Sequence, residues 1–176
     1  MEHWPWYASY DPGYPRTIDV PERTLSGLLF ERAAEYADET ALVFSGTRMT
    51  YRDLLRQIER AADGMARMGV RRGDAVTLCL PNIPQAVIAF YAVNRLGAVV
   101  NMIHPLSPAE ELSAQIRVTD SDWLVILDAF LPKHEDMLRS SRVRRIVACS
   151  IPDFLPFLTG LAFRLTRGRK IRPVPR

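Results

Sequence analysis

The sequence predicts an α/β protein built on a mostly parallel, doubly wound sheet flanked by helices. Two observations carry that reading. Helical stretches, with apolar residues near 3.6 spacing, alternate along the chain with short apolar runs. Those runs lack the apolar–polar alternation of a half-exposed strand, so they belong in a sheet covered on both faces.

Residues 1–23 precede this pattern and hold Trp4, Trp6, Tyr7, Tyr10 and Tyr14 among Pro5, Pro12, Pro15 and Pro21. Proline blocks regular structure, while large aromatics are costly to leave in water. The expectation is an extended arm that docks on a surface, either its own domain or a second copy in a homodimer.

The domain proper is expected over 24–150. Thr24 caps a helix whose apolar face is Leu25, Leu28, Leu29, Ala33 and Tyr36. Ala41–Phe44 reads as a strand, and Ser45-Gly46 as a turn leading into Arg48-Met49. Thr50, with Asp53 three residues on, gives a capping-box pattern for a helix with the stripe Leu54, Ile58, Ala61, Met65 and Met68. Gly69 is placed to stop it in the left-handed conformation.

A strand at Ala75–Leu80 follows, then a helix from Ile83 to Leu96 that is apolar nearly all round and so belongs in the interior. Gly97 ends it ahead of a strand from Ala98 to Ile103. Ser107-Pro108-Ala109-Glu110 predicts a serine cap, a proline at the first helical position and a glutamate reaching back. That helix should run through Leu112 and Ile116 to Thr119. Trp123–Leu127 is a further strand, Lys133–Arg139 a short helix and Arg144–Ser150 the last strand.

The charge is asymmetric. From Arg142 onward nine Lys/Arg face one acid, Asp153, while the preceding residues carry fourteen basic against nineteen acidic groups. The tail, 151–176, is apolar then basic: Phe154, Phe157, Leu158, Leu161, Phe163 and Leu165 lead to Arg167, Arg169, Lys170 and Arg172. One reading is a helix packed on further chain. Another is an interfacial segment over 154–172 that makes a peripheral membrane contact, apolar rings in lipid and Arg/Lys at anionic headgroups. Nucleic acid is not expected as a partner, since no aromatic–basic interleaving continues past Phe163.

Cys79 and Cys149 each sit inside an apolar run and read as reduced core thiols. Glu2 stands where a signal peptide needs positive charge, and the longest apolar run, Ala86–Val93, is far short of the ~20 residues of a membrane span. A cytoplasmic, or cytoplasmic and membrane-associated, protein is expected.

A doubly wound sheet often holds a nucleotide at the carboxyl ends of its strands. Yet the sequence has no Gly-x-Gly-x-x-Gly, no Gly-x-x-x-x-Gly-Lys and no Ser/Thr/Gly-rich loop. No His, Cys, Asp or Glu pair has metal-ligand spacing. His3 lies in the arm, and His134, between Lys133 and Glu135-Asp136, reads as a surface residue. His104 follows a strand and precedes Pro105 at the carboxyl edge, where a hydrogen-bonded structural role is expected. The sequence therefore names no catalytic, cofactor-binding or metal-binding residue.

Three ordered stretches nonetheless resemble the adenylate-forming family of acyl- and aryl-CoA ligases, luciferases and adenylation domains. They are Met49-Thr50-Tyr51-Arg52-Asp53-Leu54; then Gly69-Val70-Arg71-Arg72-Gly73-Asp74-Ala75-Val76 with Leu80-Pro81-Asn82; then Ala89-Phe90-Tyr91-Ala92 through Leu96-Gly97-Ala98-Val99-Val100 to Pro105-Leu106-Ser107-Pro108-Ala109-Glu110-Glu111-Leu112. The arm and the stretch after Ile151 look more like long-chain fatty-acid–CoA ligases than adenylation domains. At His104 relatives often have Asn.

The resemblance implies an incomplete N-terminal subdomain of the adenylate-forming ligase fold. It implies a parent enzyme that joins a fatty or related carboxylic acid to coenzyme A, with ATP, Mg²⁺ and coenzyme A as its cofactors and AMP and pyrophosphate as products. The phosphate loop, the acid for the ribose hydroxyls and the lysine of the adenylation step are implied to lie beyond Arg176. This piece alone is then expected to be inactive and to bind none of these cofactors tightly. The alternatives are a non-catalytic binding module and a peripheral membrane adaptor on the same fold.

Overall fold

The computed structural model describes residues 4–156 and 159–161. Its elements run α1 (Leu25–Glu35), β1 (Thr40–Phe44), β2 (Thr47–Thr50), α2 (Tyr51–Met68), β3 (Ala75–Cys79), α3 (Pro84–Arg95), β4 (Val99–Met102), α4 (Ala109–Val118), β5 (Trp123–Leu127), α5 (Leu131–Ser140) and β6 (Arg145–Cys149).

β3 to β6 form one parallel sheet in the order β4-β3-β5-β6. The crossover through α3 carries the chain to one side of β3, and the crossover through α4 carries it to the other. Helices consequently cover both faces. On one face Leu54, Ile58 and Met65 of α2 and Ile88, Ala89 and Ala92 of α3 pack with Val76, Leu78 and Val125. On the other, Leu112 and Ile116 of α4 and Leu138 of α5 pack with Cys79, Leu124 and Ile126. β5, fully buried along its length, is the wall between the two cores.

Several local signals act as the sequence predicts. Thr50 Oγ1 accepts from the Asp53 amide at 3.1 Å and also bonds its carboxylate, and Gly69 (φ 107°) ends α2 with its amide donating to Met65 and Ala66. Thr24 caps α1 by accepting from Gly27.

Others differ. β1 and β2 pair antiparallel as a separate hairpin and do not join the main sheet. A two-residue turn with both Ser45 (φ 47°) and Gly46 (φ 84°) left-handed folds the chain straight back. In α1 Leu25 and Tyr36 face solvent, and Ser26 and Ala33 are the buried positions. Contacts from α3 set that rotation: Asn94 Oδ1 accepts from the Ser26 amide at 2.9 Å, and the Arg95 guanidinium lies 4.1 Å over the Phe30 ring. In α2 the buried stripe runs through Ala62, with Met68 turned outward.

The serine cap at Ser107 is not made. α4 starts at Ala109 with Pro108 extended (ψ 155°) and no side-chain cap bond. Ser107 is held in the preceding loop instead, its amide donating to His104 and its carbonyl accepting from Lys133. β4 is an edge strand, so Val99 and Met102 are exposed where a doubly covered strand was expected. His134, expected on the surface, is 1% exposed, because α5 begins two residues earlier than predicted and its Leu131-His134-Leu138 face turns onto the core.

The arm is less extended than expected. Pro5–Ser9 form one 3-10 segment whose rings pack on each other, Trp4 stacked on Trp6 at 4.7 Å and Tyr7 edge-on to Tyr10, with Arg16 over Tyr7. Trp4, Trp6, Tyr10 and Tyr14 stay exposed. His3 and most of the tail segment 154–172 lie outside the described residues.

Candidate functional site

In an open parallel sheet the ligand crevice lies at the carboxyl ends of the two neighbouring strands whose connections leave in opposite directions. Here those strands are β3 and β5. The crevice is bordered by the loop Leu80–Ile83 after β3 and by the 3-10 turn Asp128–Phe130 after β5. The loops after β4 and β6 flank it.

Gln85, in the first turn of α3, spans this edge. It is 8% exposed, and its Nε2 donates to the Ser150 carbonyl at 2.7 Å, tying the start of α3 to the end of β6. Its Oε1 has no hydrogen-bond partner. On the β4 side, Lys133 Nζ donates to the carbonyls of Leu106 (3.2 Å) and Ser107 (3.1 Å), fastening that loop to α5. His104 is exposed, with Nδ1 accepting from the Leu106 amide at 3.2 Å. The ring is thus hydrogen-bonded within its own loop.

Both thiols at this end are held towards the neutral form. Burial pushes Cys79 up to about 11, with Lys133 pulling the other way. Burial, then the carboxylates of Asp153 and Asp128, pushes Cys149 up to about 11. Both stay protonated at neutral pH and both are free of disulfides.

Clefts indent the described surface at several places. One of about 260 Å³ lies beside the crevice, between the hairpin (Leu42, Val43, Phe44) and the start of α3 (Asn82, Ile83, Pro84, Val87). A larger one, about 700 Å³, lies within the arm between Tyr10, Tyr14, Arg16 and Val20, away from the sheet. A third, about 200 Å³, lies at the amino edge among Asp74, Asp120, Asp122 and Trp123. Arg142 already pairs with Asp120 and Asp122 there. Among the described residues no group of three or more His, Cys, Asp or Glu could hold a metal ion.

The loops and helix starts at this edge carry Asn82, Gln85, His104, Asp128 and Lys133, of which Gln85 and Lys133 are tied to backbone carbonyls across it. Sequence reasoning missed Gln85 and Lys133. An amide in the first turn of a helix whose next eight residues are all apolar was the available signal for Gln85. The clamp made by Lys133 depends on a contact 26 residues away and had none.

A family model described as AMP-binding enzyme matches residues 29–170. A long-chain-fatty-acid–CoA ligase of Bacillus subtilis (strain 168) is 34% identical over 167 residues, covering 95% of this chain and 30% of that protein. One from Yersinia pestis is 32% identical over 158 residues, covering 88% of this chain and 28% of its own length. The chain thus spans about three-tenths of the length of these relatives. Among solved structures, a long-chain-fatty-acid–CoA ligase from Archaeoglobus fulgidus superposes with a TM-score of 0.71 at 22% identity, over 82% of this chain and 32% of that one. The N-terminal domain of FACL13 from Mycobacterium tuberculosis gives 0.66 at 24% identity, over 87% of this chain and 38% of that one. At such identities the likeness is one of fold.

Proposed function

The chain belongs to the AMP-binding enzyme family, and we propose that it serves as the N-terminal part of an ATP-dependent, AMP-forming acid–CoA ligase acting on a fatty or related acyl substrate. The observation that carries this is likeness along nearly the whole chain to proteins named long-chain-fatty-acid–CoA ligases. In such a reaction the carboxylate oxygen attacks the α-phosphate of ATP and pyrophosphate leaves. The thiol of coenzyme A then displaces AMP.

The described residues do not fit ATP or Mg²⁺ by themselves. They hold no glycine-rich loop and no group of three or more His, Cys, Asp or Glu that could hold a metal ion, and burial keeps the thiols of the carboxyl edge in the neutral form. No step is therefore assigned to them. Their role in this reading is the scaffold: one wall of the crevice, held in shape by Gln85 and Lys133, against which the rest of a ligase closes. The 176-residue chain alone is expected to be inactive. The aromatic arm is a docking element in the same reading. No helix among the described residues is long and apolar enough to cross a membrane.

A chimera tests the proposal. The segment of the Bacillus subtilis ligase that aligns with this chain is replaced by the chain itself, and fatty-acid-dependent ATP–pyrophosphate exchange is measured. Exchange by the chimera, with none from the chain alone, is the expected result. A folded chimera that binds no fatty acid and exchanges no pyrophosphate would count against it, as would robust exchange by the chain alone.

A further inference from the structure

His134 sits in the middle of α5 on the face that carries Leu131 and Leu138 into the smaller core. Its side chain is among the largest that are fully buried, and neither Nδ1 nor Nε2 has a hydrogen-bond partner in the protein. A neutral imidazole buried in this way leaves one donor and one acceptor unsatisfied, which costs about 1–3 kcal/mol for each group. A leucine or methionine would fill the position without that cost. A residue that breaks the local rule for its environment marks a place where something other than stability is served.

The surroundings decide what that can be. On α5 the neighbouring charges are Lys133, Glu135 and Asp136, all exposed. On α4 the side chains turned into the shared core are Leu112 and Ile116, while Glu110, Glu111 and Arg117 are exposed. β5 contributes only Trp123 to Leu127, and β3 contributes Cys79, held as the neutral thiol. The 3-10 turn before α5 contributes the half-buried Asp128. No carboxylate bonds the ring, so an imidazolium formed here would be a buried charge with two donors and no acceptor. Burial, and the positive charge of Lys133 after it, hold the ring below its ordinary value, in keeping with that geometry.

We propose that His134 is an acid-sensitive latch: neutral, it holds α5 on the sheet, and its protonation releases α5 together with the loops that α5 fastens at the carboxyl edge. Those loops are the one after β4, held by Lys133 through Leu106 and Ser107, and the Asp128–Phe130 turn that runs directly into α5. Opening is local, because α5 is ten residues long, exposed on its outer side and packed mainly on α4 and that turn. The larger core, on the other face of the sheet, stays closed.

The sign follows from linkage. The open state binds the proton more readily than the closed one, so opening becomes easier as pH falls below the ordinary histidine value near 6.5. One proton limits the gain to about tenfold in the opening constant per pH unit. The test is hydrogen exchange read by mass spectrometry on the whole chain from pH 7.5 to 5.0, corrected for intrinsic rates, for wild type and His134→Leu. Expected is a rise in exchange of up to about tenfold per pH unit below 6.5 in 128–140, none in 51–95, and no pH-dependent rise in 128–140 of the variant; 104–108 is left out of the comparison because the Leu106 amide bonds the His104 ring itself.

An equal rise in the variant, or no rise in wild type, overturns the latch. Should His134→Leu fail to fold, His134→Met supplies the comparison, and the NMR titration of the His134 ring in wild type decides independently. A ring titrating at or above 6.5 while α5 stays protected overturns it. None of these readings depends on ligase activity, so the latch and the proposed function fail separately.

Discussion

At the scale of single residues, the buried polar groups of the carboxyl edge differ in how well they are satisfied, and that sets what their replacement does. The Gln85 amide bonds the Ser150 carbonyl at 2.7 Å. Gln85→Met keeps the volume and removes that bond, which is expected to cost about 1 kcal/mol. Gln85→Glu sets a carboxylate against the same carbonyl in a nine-tenths-buried position and is expected to cost more, about 2–3 kcal/mol at pH 8. Urea denaturation of the three proteins checks the order, and equal midpoints would remove Gln85 as a tie between α3 and β6. Cys79 and Cys149 make the opposite pH prediction to His134. Both thiols have values raised to about 11 from 9.0, so the folded state holds protons that the unfolded state releases. Stability is fully present below pH 9 and falls as pH rises from 9 towards 11, by up to about tenfold in the unfolding constant per pH unit for each thiol. Thermal melts of wild type and the Cys79→Ala/Cys149→Ala double variant, between pH 8 and 10.5, show whether the fall belongs to the thiols.

At the scale of elements, local chemistry set most boundaries and tertiary contacts set most faces. Thr50 and Gly69 bracket α2 as their residue types require, and the cost of removing each can be stated. Thr50→Ala loses the cap and is expected to cost about 1 kcal/mol. Gly69→Ala has room for a methyl, the nearest atom being Trp123 Cζ2 at 4.0 Å, so its cost is the positive φ alone, about 1–2 kcal/mol. Chemical denaturation of each variant measures both values. In the hairpin, Ser45 sits at a left-handed position that asparagine tolerates better. Ser45→Asn is expected to stabilise by on the order of 0.5 kcal/mol, visible as a higher melting temperature. Trp123–Leu127 was legible to the residue because a five-residue apolar run rich in branched and aromatic side chains, set between polar residues, is too short for a buried helix and fits a doubly covered strand. The rotation of α1 was not, since Leu25 and Ser26 are one residue apart and the choice between them rests on tertiary contacts such as those of Asn94 and Arg95 of α3. The cap of α4 misled for a related reason: Ser107 has the right spacing, but its loop is already claimed by His104 and Lys133. At the crevice, the absence of a phosphate loop could be read from composition, whereas the buried amide and the lysine clamp are long-range pairings that no local pattern encodes.

At the scale of the whole molecule, β4 ends the sheet with an open edge carrying exposed Val99 and Met102, and exposed Leu106 follows it. An unpaired apolar edge invites pairing with another strand. The chain by itself is therefore expected to associate at high concentration, and Val99→Lys to raise the monomer fraction in light scattering without lowering the melting temperature by more than a few degrees. The strand order has a second consequence, for the chain as it is made. β3 gains β4 on one side early, but its other side stays bare until Trp123–Leu127 is synthesised. The apolar residues that α2 and α3 bring to that strand must wait through about 25 further residues, roughly one to five seconds at 5–20 residues per second. In that interval the growing polypeptide leaves the ribosome with half a core uncovered. The last strand to reach the centre of this sheet is thus the one on which its safe passage from the exit tunnel depends.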